Sequence, residues 1–211
     1  MPKRIFFLTC IFFIAITIVA SQKLSHVDFK NYSYPWSSSH LESDRLEWLN
    51  PSGDKRVHLT NGHWEDQLER AELPEGMAPT PSLKLESVKF GDVTGTGRDN
   101  AIVVIRYDSG GTQFSYFVYI YSWLNGKPKL LAYFHAGDRA ASGLYQVYAL
   151  NKRLVVELFD PSKKIGDCCS SGYIRTRYRW EDGKFKVTGP KEFGEPRVSS
   201  RLPVSPFGLH Q

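Results

Sequence analysis

The chain has 211 residues, 27 lysines and arginines against 22 acidic residues, a formal net charge of +5, 14% aromatic residues and 3 cysteines. So few cysteines in this length exclude a disulfide-framework miniprotein, and 41% hydrophobic content with that aromatic load excludes intrinsic disorder. One main domain is expected.

Residues 1–21 read as a secretory signal peptide. Lys3 and Arg4 form a basic start, Ile5 to Val19 is almost wholly apolar, and Val19, Ala20 and Ser21 offer small residues for cleavage. The apolar stretch is shorter than the roughly 20 residues of a membrane span, so removal is expected over retention, and Cys10 leaves with it. Cleavage after Ser21 lowers the charge to +3 and leaves no second long apolar run, hence no transmembrane segment. The expected location is secreted or periplasmic, where a disulfide between the remaining Cys168 and Cys169 can persist.

Residues 22–82 read as an irregular N-terminal arm or small subdomain. Ser37 to Ser39, Pro51-Ser52-Gly53 and the proline-rich Glu72 to Pro81 break it. A strand is expected around Arg56 to Leu59, and Trp64 to Leu73 could form a short helix before Pro74. His58 and His63 flank Asn61-Gly62 near Glu65 and Asp66; their spacing is not that of a helical metalloprotease pair, so they read as exposed turn histidines.

Residues 83–188 read as an antiparallel β core. The expected strands are Leu83 to Phe90, Ala101 to Tyr107, Phe114 to Leu124, Lys129 to Phe134, Leu144 to Leu150, Arg153 to Phe159, Tyr173 to Trp180 and Lys184 to Val187. Between them stand Asp108 to Gly111, Asn125-Gly126, Asn151-Lys152 and Asp182-Gly183. Two-residue hairpin turns want positive φ at both central positions, which Asn-Gly supplies. The fold class is therefore mainly β, a single antiparallel meander, sandwich or barrel-like, with the irregular arm before it. Residues 189–211, rich in proline and serine, read as a disordered tail. No repeat at a fixed period supports a propeller.

The segment from Phe90 to Val104 carries Asp92, Thr94, Thr96, Arg98 and Asn100 at alternate positions, with Gly95 and Gly97 for a sharp turn, and runs into an apolar strand. It resembles the calcium loop of FG-GAP and VCBS-type repeats. The resemblance implies a calcium ion held by Asp92, Thr94, Thr96, the Arg98 carbonyl and Asn100. The residues taken alone also offer a tight connection in which Asp92 and the threonines hydrogen-bond their own backbone. One carboxylate in register is a poor trap for a divalent ion; on the residues no cofactor is expected, and calcium is the one candidate.

The order of landmarks across most of the mature chain is also similar to a family of exported bacterial β-rich proteins without an assigned activity. They are Val27 to Asn31, Tyr34-Pro35-Trp36, the Asp92 loop, Tyr119 to Tyr121, Gly137 to Ala140, Gly166 to Cys169 and Arg175 to Trp180. The resemblance implies a shared fold and export, and no chemistry.

Cys168 and Cys169 are adjacent in a turn-rich context. Neighbouring α-carbons about 3.8 Å apart are closer than most disulfides allow, so a bond between them closes a strained ring. It reads as a turn staple or a redox-responsive switch; zinc needs more ligands than two thiolates. In the next segment Arg175, Arg177 and Arg179 alternate with Ile174, Thr176, Tyr178 and Trp180, which puts three guanidinium groups on one strand face. That face reads as a site for phosphate, sulfate or an anionic envelope polymer, or as a solvated edge that resists aggregation.

Phe114 to Trp123 is large and apolar on both faces, as in a central buried strand. No nucleophile elbow, P-loop or dinucleotide fingerprint is present. The first positions to test for catalysis are Asp92, Asp99, His135, Asp138 and Arg139. The leading expectation is an exported soluble β domain with a binding or structural role in the bacterial envelope, its partner an anionic envelope polymer or a protein. The alternatives are an exported hydrolase of an envelope polymer and a calcium-dependent adhesion module. Nucleic acid is not expected at a mature charge of +3. Residues 22–82 carry 6 basic against 10 acidic groups and residues 83–188 carry 16 against 10, so the acidic arm is expected to cover the basic core.

Overall fold

The computed structural model describes residues 24–37, 39, 41, 46–52, 54–65, 80–110, 114–137, 142–165 and 169–195. The arm contributes β1 (Ser33–Trp36), β2 (Glu47–Leu49), β3 (Lys55–His58) and β4 (His63–Glu65). A meander follows, of β5 (Ser82–Gly91), β6 (Asn100–Asp108), β7 (Phe114–Leu124) and β8 (Lys127–Ala136). The rest is β9 (Leu144–Leu150), β10 (Arg153–Phe159), β11 (Lys164–Ile165), β12 (Cys169–Ser170), β13 (Tyr173–Glu181), β14 (Lys184–Val187) and β15 (Glu192–Gly194).

These strands form two main antiparallel sheets. The central sheet has the order β2-β8-β7-β6-β5-β4 and the second sheet the order β14-β13-β10-β9, with β15 also on β13. No barrel closes; the two sheets stack as a sandwich, and β1 with β3 forms a two-stranded layer on the other side of the central sheet. The central sheet is thus covered on both faces, which explains why β6 and β7 are apolar at nearly every position instead of alternating.

One face of the central sheet carries Ile102, Val104, Val118, Ile120 and Phe134 against Val147, Leu154, Val156, Tyr178 and Phe185 of the second sheet. The other carries Ala101, Val103, Ile105, Phe117, Tyr119, Tyr121 and Tyr133 against Leu24, Phe29, Tyr34, Val57 and Leu59 of the arm. The arm therefore rests on a tyrosine-rich apolar face. Its described residues meet β13 on the inner face, where Trp48 packs on Tyr178, and not on the outward arginine face that the charge balance pointed to, because burying apolar area outweighs pairing exposed charges.

Turn chemistry sets the hairpins. Asn61-Gly62, Asn125-Gly126, Asn151-Lys152 and Asp182-Gly183 each have positive φ at both positions, the conformation that matches strand twist in a two-residue turn. At the side of the sandwich where β5 meets β9, a Cβ on Gly91 would stand 2.5 Å from the Cβ of Ala149, so only glycine allows the two sheets to approach there.

Three boundaries differ from expectation. Trp64 and Glu65 belong to β4, paired with Leu83 and Ser82, where the sequence allowed a short helix or a loop; residues 66–73 lie outside the described residues. The strands β2 and β4 join the central sheet, so the arm is part of the sandwich. The ordered chain also continues past residue 188, since Glu192 to Gly194 pair with β13; residues 196–211 lie outside the described residues. Among the described residues no helix is long and apolar enough to cross a membrane, which says nothing of strands.

Candidate anion-binding face

The strand alternation that sends Leu154, Val156 and Tyr178 into the core sends Arg153, Val155, Glu157, Arg175, Arg177 and Arg179 to the face turned away from the central sheet. Register then sorts these groups into rows. Glu157 stands opposite Arg175, and Arg175 opposite Glu192. Leu154 stands opposite Tyr178, which carries Arg153 alongside Arg179, and Arg179 is opposite Lys186. One end of the face is an alternation of acids and bases; the other is a row of three cations on adjacent strands, whose spacing is about 4.8 Å.

The mixed end is a closed network. Glu157 is buried and accepts from Arg175 Nε at 2.7 Å and from the Tyr148 hydroxyl at 2.9 Å. Arg175 Nη1 donates to Glu192 Oε2 at 3.2 Å and Nη2 to the Tyr173 hydroxyl at 3.1 Å. Arg177 Nη2 donates to the same Glu192 oxygen at 2.8 Å, and Nη1 to its other oxygen, a two-pronged clamp. Hydrogen bonding from Arg177, seconded by Arg175, holds the Glu192 carboxyl below the usual carboxylate range. Tyr145 stacks on Tyr173 at 5.2 Å and meets Phe159 at 5.3 Å, forming an aromatic border to this end.

The cationic end is different. Arg179 Nη1 lies 3.2 Å from Glu181, and Lys186 Nζ lies 2.6 Å from Asp182 and 3.7 Å from Glu181, all at the hairpin tip. Arg153 makes no ion pair among the described residues. Like charges directly across a sheet destabilise it. Local rules broken at one place in an otherwise consistent structure concentrate at functional sites.

The sequence-derived candidates are therefore divided. Arg175 and Arg177 are engaged by Glu157 and Glu192, Arg179 faces the cation row, and Arg153 and Lys186 join it although the sequence reading passed over them. A start of strand after Asn151-Lys152 was legible; the pairing of β10 with β13 was not.

Around Asp92 the loop is held by its own donors. Asp92 Oδ1 accepts from the backbone N–H groups of Thr94 at 3.1 Å, Gly95 at 2.7 Å and Thr96 at 3.2 Å, and Oδ2 from that of Gly97 at 2.8 Å. The Thr94 hydroxyl lies 3.0 Å from that of Thr96 and 3.3 Å from Asn100 Oδ1, which also accepts from Val93 N–H. Arg98 is exposed. One carboxylate, two hydroxyls, one amide oxygen and the Arg98 carbonyl bring a single formal negative charge to the loop, and both Asp92 oxygens already accept from backbone N–H groups. Among the described residues no group of three or more His, Cys, Asp or Glu could hold a metal ion.

Of the positions singled out for catalysis that are described, Asp92 and Asp99 lie far along β6 from His135. His135 is buried in β8 with its ring 5.0 Å from Phe117, whose partner Ile105 lies about 16 Å along β6 from Asn100 at roughly 3.3 Å per residue. Asp138, Arg139 and Cys168 lie outside the described residues, and Cys169 pairs with Ile165 in the two-stranded β11 and β12. His58 and His63 are exposed and hydrogen-bonded to Ser33 and Glu65. Set against known protein families, curated proteins and solved structures, the chain matches none of them.

Proposed function

We propose that this chain is an exported β domain that binds an anionic polymer of the bacterial envelope on the outer face of its second sheet. The observation that supports the reading is the row Arg153, Arg179 and Lys186, three cations side by side on β10, β13 and β14 with too few acids to neutralise them. Such a row costs the free protein stability and returns it when a repeating anion lies across the strands. The clamp of Arg177 and Arg175 on Glu192 anchors β15 at the other end of the same face and takes up those two guanidinium groups, which leaves the row as the cationic end. The basic start, apolar stretch and small-residue site of residues 1–21 support export.

Retention on a heparin column at low salt tests this. The parent protein is expected to bind and to elute with increasing salt, and the double variant Arg153→Gln, Arg179→Gln to flow through with a melting temperature no lower than the parent's. A double variant that elutes at the parent's salt concentration removes the row from the binding site.

A further inference from the structure

The two sides of the sandwich where the sheets meet are built differently. Where β5 passes β9, Gly91 packs on Ala149 and Lys89 Nζ donates to the Val147 carbonyl at 3.2 Å, so the sheets touch. On the opposite side β2 covers β8 only over Tyr133 to His135. Beyond it the register of β8 slips between its pairings with Ile120 and Tyr121, a bulge at Leu131. Leu130 consequently packs with the arm-side core and Leu131 with the sheet-side core. The gap between β8 and the β13–β14 hairpin is an apolar groove of about 360 Å³, within the size range of small-ligand pockets, lined by Trp48, Pro51, Leu130, Leu131, Lys184 and Phe185 among others.

The chemistry at its rim narrows what fits. A peptide strand adding to β8 beyond its pairing with β2 would meet Lys127, Pro128 and Lys129 after the bulge, the devices that block strand addition. A small ligand meets no such barrier. Trp48 stacks on Phe185 at 5.3 Å and offers a flat apolar wall. Lys184 lines the groove, and Lys129 immediately precedes the lining residue Leu130; both are exposed, and although Lys184 stands opposite Glu181 in register, neither makes an ion pair among the described residues. Their neighbours Arg179 and Lys186 are both paired with acids of the hairpin tip.

We infer that this groove binds a single-chain anionic amphiphile, its aliphatic chain against Trp48, Leu130, Leu131 and Phe185 and its carboxylate at Lys184 and Lys129. This site borders the anion-binding face through Lys184, two residues before Lys186 on β14, but differs in what it takes: one ligand by apolar burial with one charge, whereas the face takes a repeating charge.

Calorimetric titration of the purified protein with decanoate, below its micelle concentration, tests the inference. One-to-one binding is expected, with decyltrimethylammonium, which has the same chain and opposite charge, binding at least about fivefold more weakly. Lys184→Gln should weaken decanoate by a similar factor and leave decyltrimethylammonium unweakened. Pro51→Trp, at an exposed lining position, should fill the groove and abolish decanoate binding while the melting temperature is retained. No saturable binding of decanoate, equal affinity for the two amphiphiles, association only with phosphatidylglycerol vesicles, or full affinity in the Pro51→Trp protein would each overturn it.

Discussion

The two faces of the central sheet are buried to the same extent by different chemistry. Toward the second sheet the side chains are mainly aliphatic, with Ile102, Val104, Val118 and Ile120 meeting Val147, Leu154 and Val156. Toward the arm, Ala101, Val103, Ile105 and Phe117 are joined by Tyr119, Tyr121 and Tyr133, and three hydroxyls of this layer meet the arm's polar groups. Tyr34 donates to the Phe29 carbonyl at 2.7 Å, Tyr119 to the Pro35 carbonyl at 2.8 Å and Tyr133 to the Asp54 carboxylate, while the Tyr121 hydroxyl is buried without a partner among the described residues. The difference follows from what lies opposite. A sheet arrives with its backbone groups already paired, so it can be met by hydrocarbon alone. An irregular arm brings unpaired carbonyls and a loop carboxylate, and each must find a donor or cost free energy. Tyrosine gives both the apolar ring and the donor.

Alkaline pH should weigh more on the arm face, although burial also pushes up the Tyr178 phenol on the sheet side. Burial pushes the Tyr34, Tyr119 and Tyr121 phenols above their ordinary value. Below about pH 10 the phenols are protonated in both folded and unfolded chains and their contribution is intact. Above it the unfolded chain loses protons that the folded chain keeps, so stability falls by about 1.4 kcal/mol per pH unit for each of these tyrosines until their folded pKa is reached. Urea midpoints at pH 9, 10 and 11 should show that decline. Normal phenol titration in the native protein, followed by ultraviolet absorbance, would contradict it.

Ile120→Ala strikes the aliphatic face. It should cost about 2–5 kcal/mol through lost burial and a cavity, by the same amount at pH 7 and at pH 10. Tyr119→Phe is a smaller change on the arm face, leaving the ring stacked on Tyr133 at 5.2 Å and removing only the donor to Pro35. The expected loss is about 1–3 kcal/mol at neutral pH, and the alkaline decline should become shallower by one tyrosine. A Tyr119→Phe protein with the parent's alkaline slope would show that this phenol is not the one resisting ionisation.

Much of the β architecture was legible residue by residue. Phe114–Leu124, Leu144–Leu150, Arg153–Phe159 and Lys184–Val187 are strands with the limits that their composition and flanking turn residues imply, and the positive φ values of Asn125, Gly126, Asp182 and Gly183 are what those residue types favour. The arm was less legible: Trp48, Trp64 and Glu65 lie in strands of three residues, too short to leave a period. The arginine face was half legible. Alternation placed Arg175, Arg177 and Arg179 together, but no periodicity could announce that Glu192 would arrive from beyond a proline and take two of them.

By itself the sequence determined the local conformations: which segments extend, where the chain reverses, and which side chains share a strand face. These depend on side-chain branching, the freedom of Asn and Gly at positive φ, and the two-residue period of a strand, all properties of a few neighbouring residues. The tertiary structure alone decided which strands pair and which sheets stack. That choice made Arg153 a neighbour of Arg179 and Lys186, laid an acidic arm on a tyrosine-bearing face, and set β8 and the β13–β14 hairpin on either side of the groove beside Trp48. Charges and apolar groups distant in sequence acquire an interaction energy only when packing brings them within a few ångströms, and that distance is a property of the whole fold.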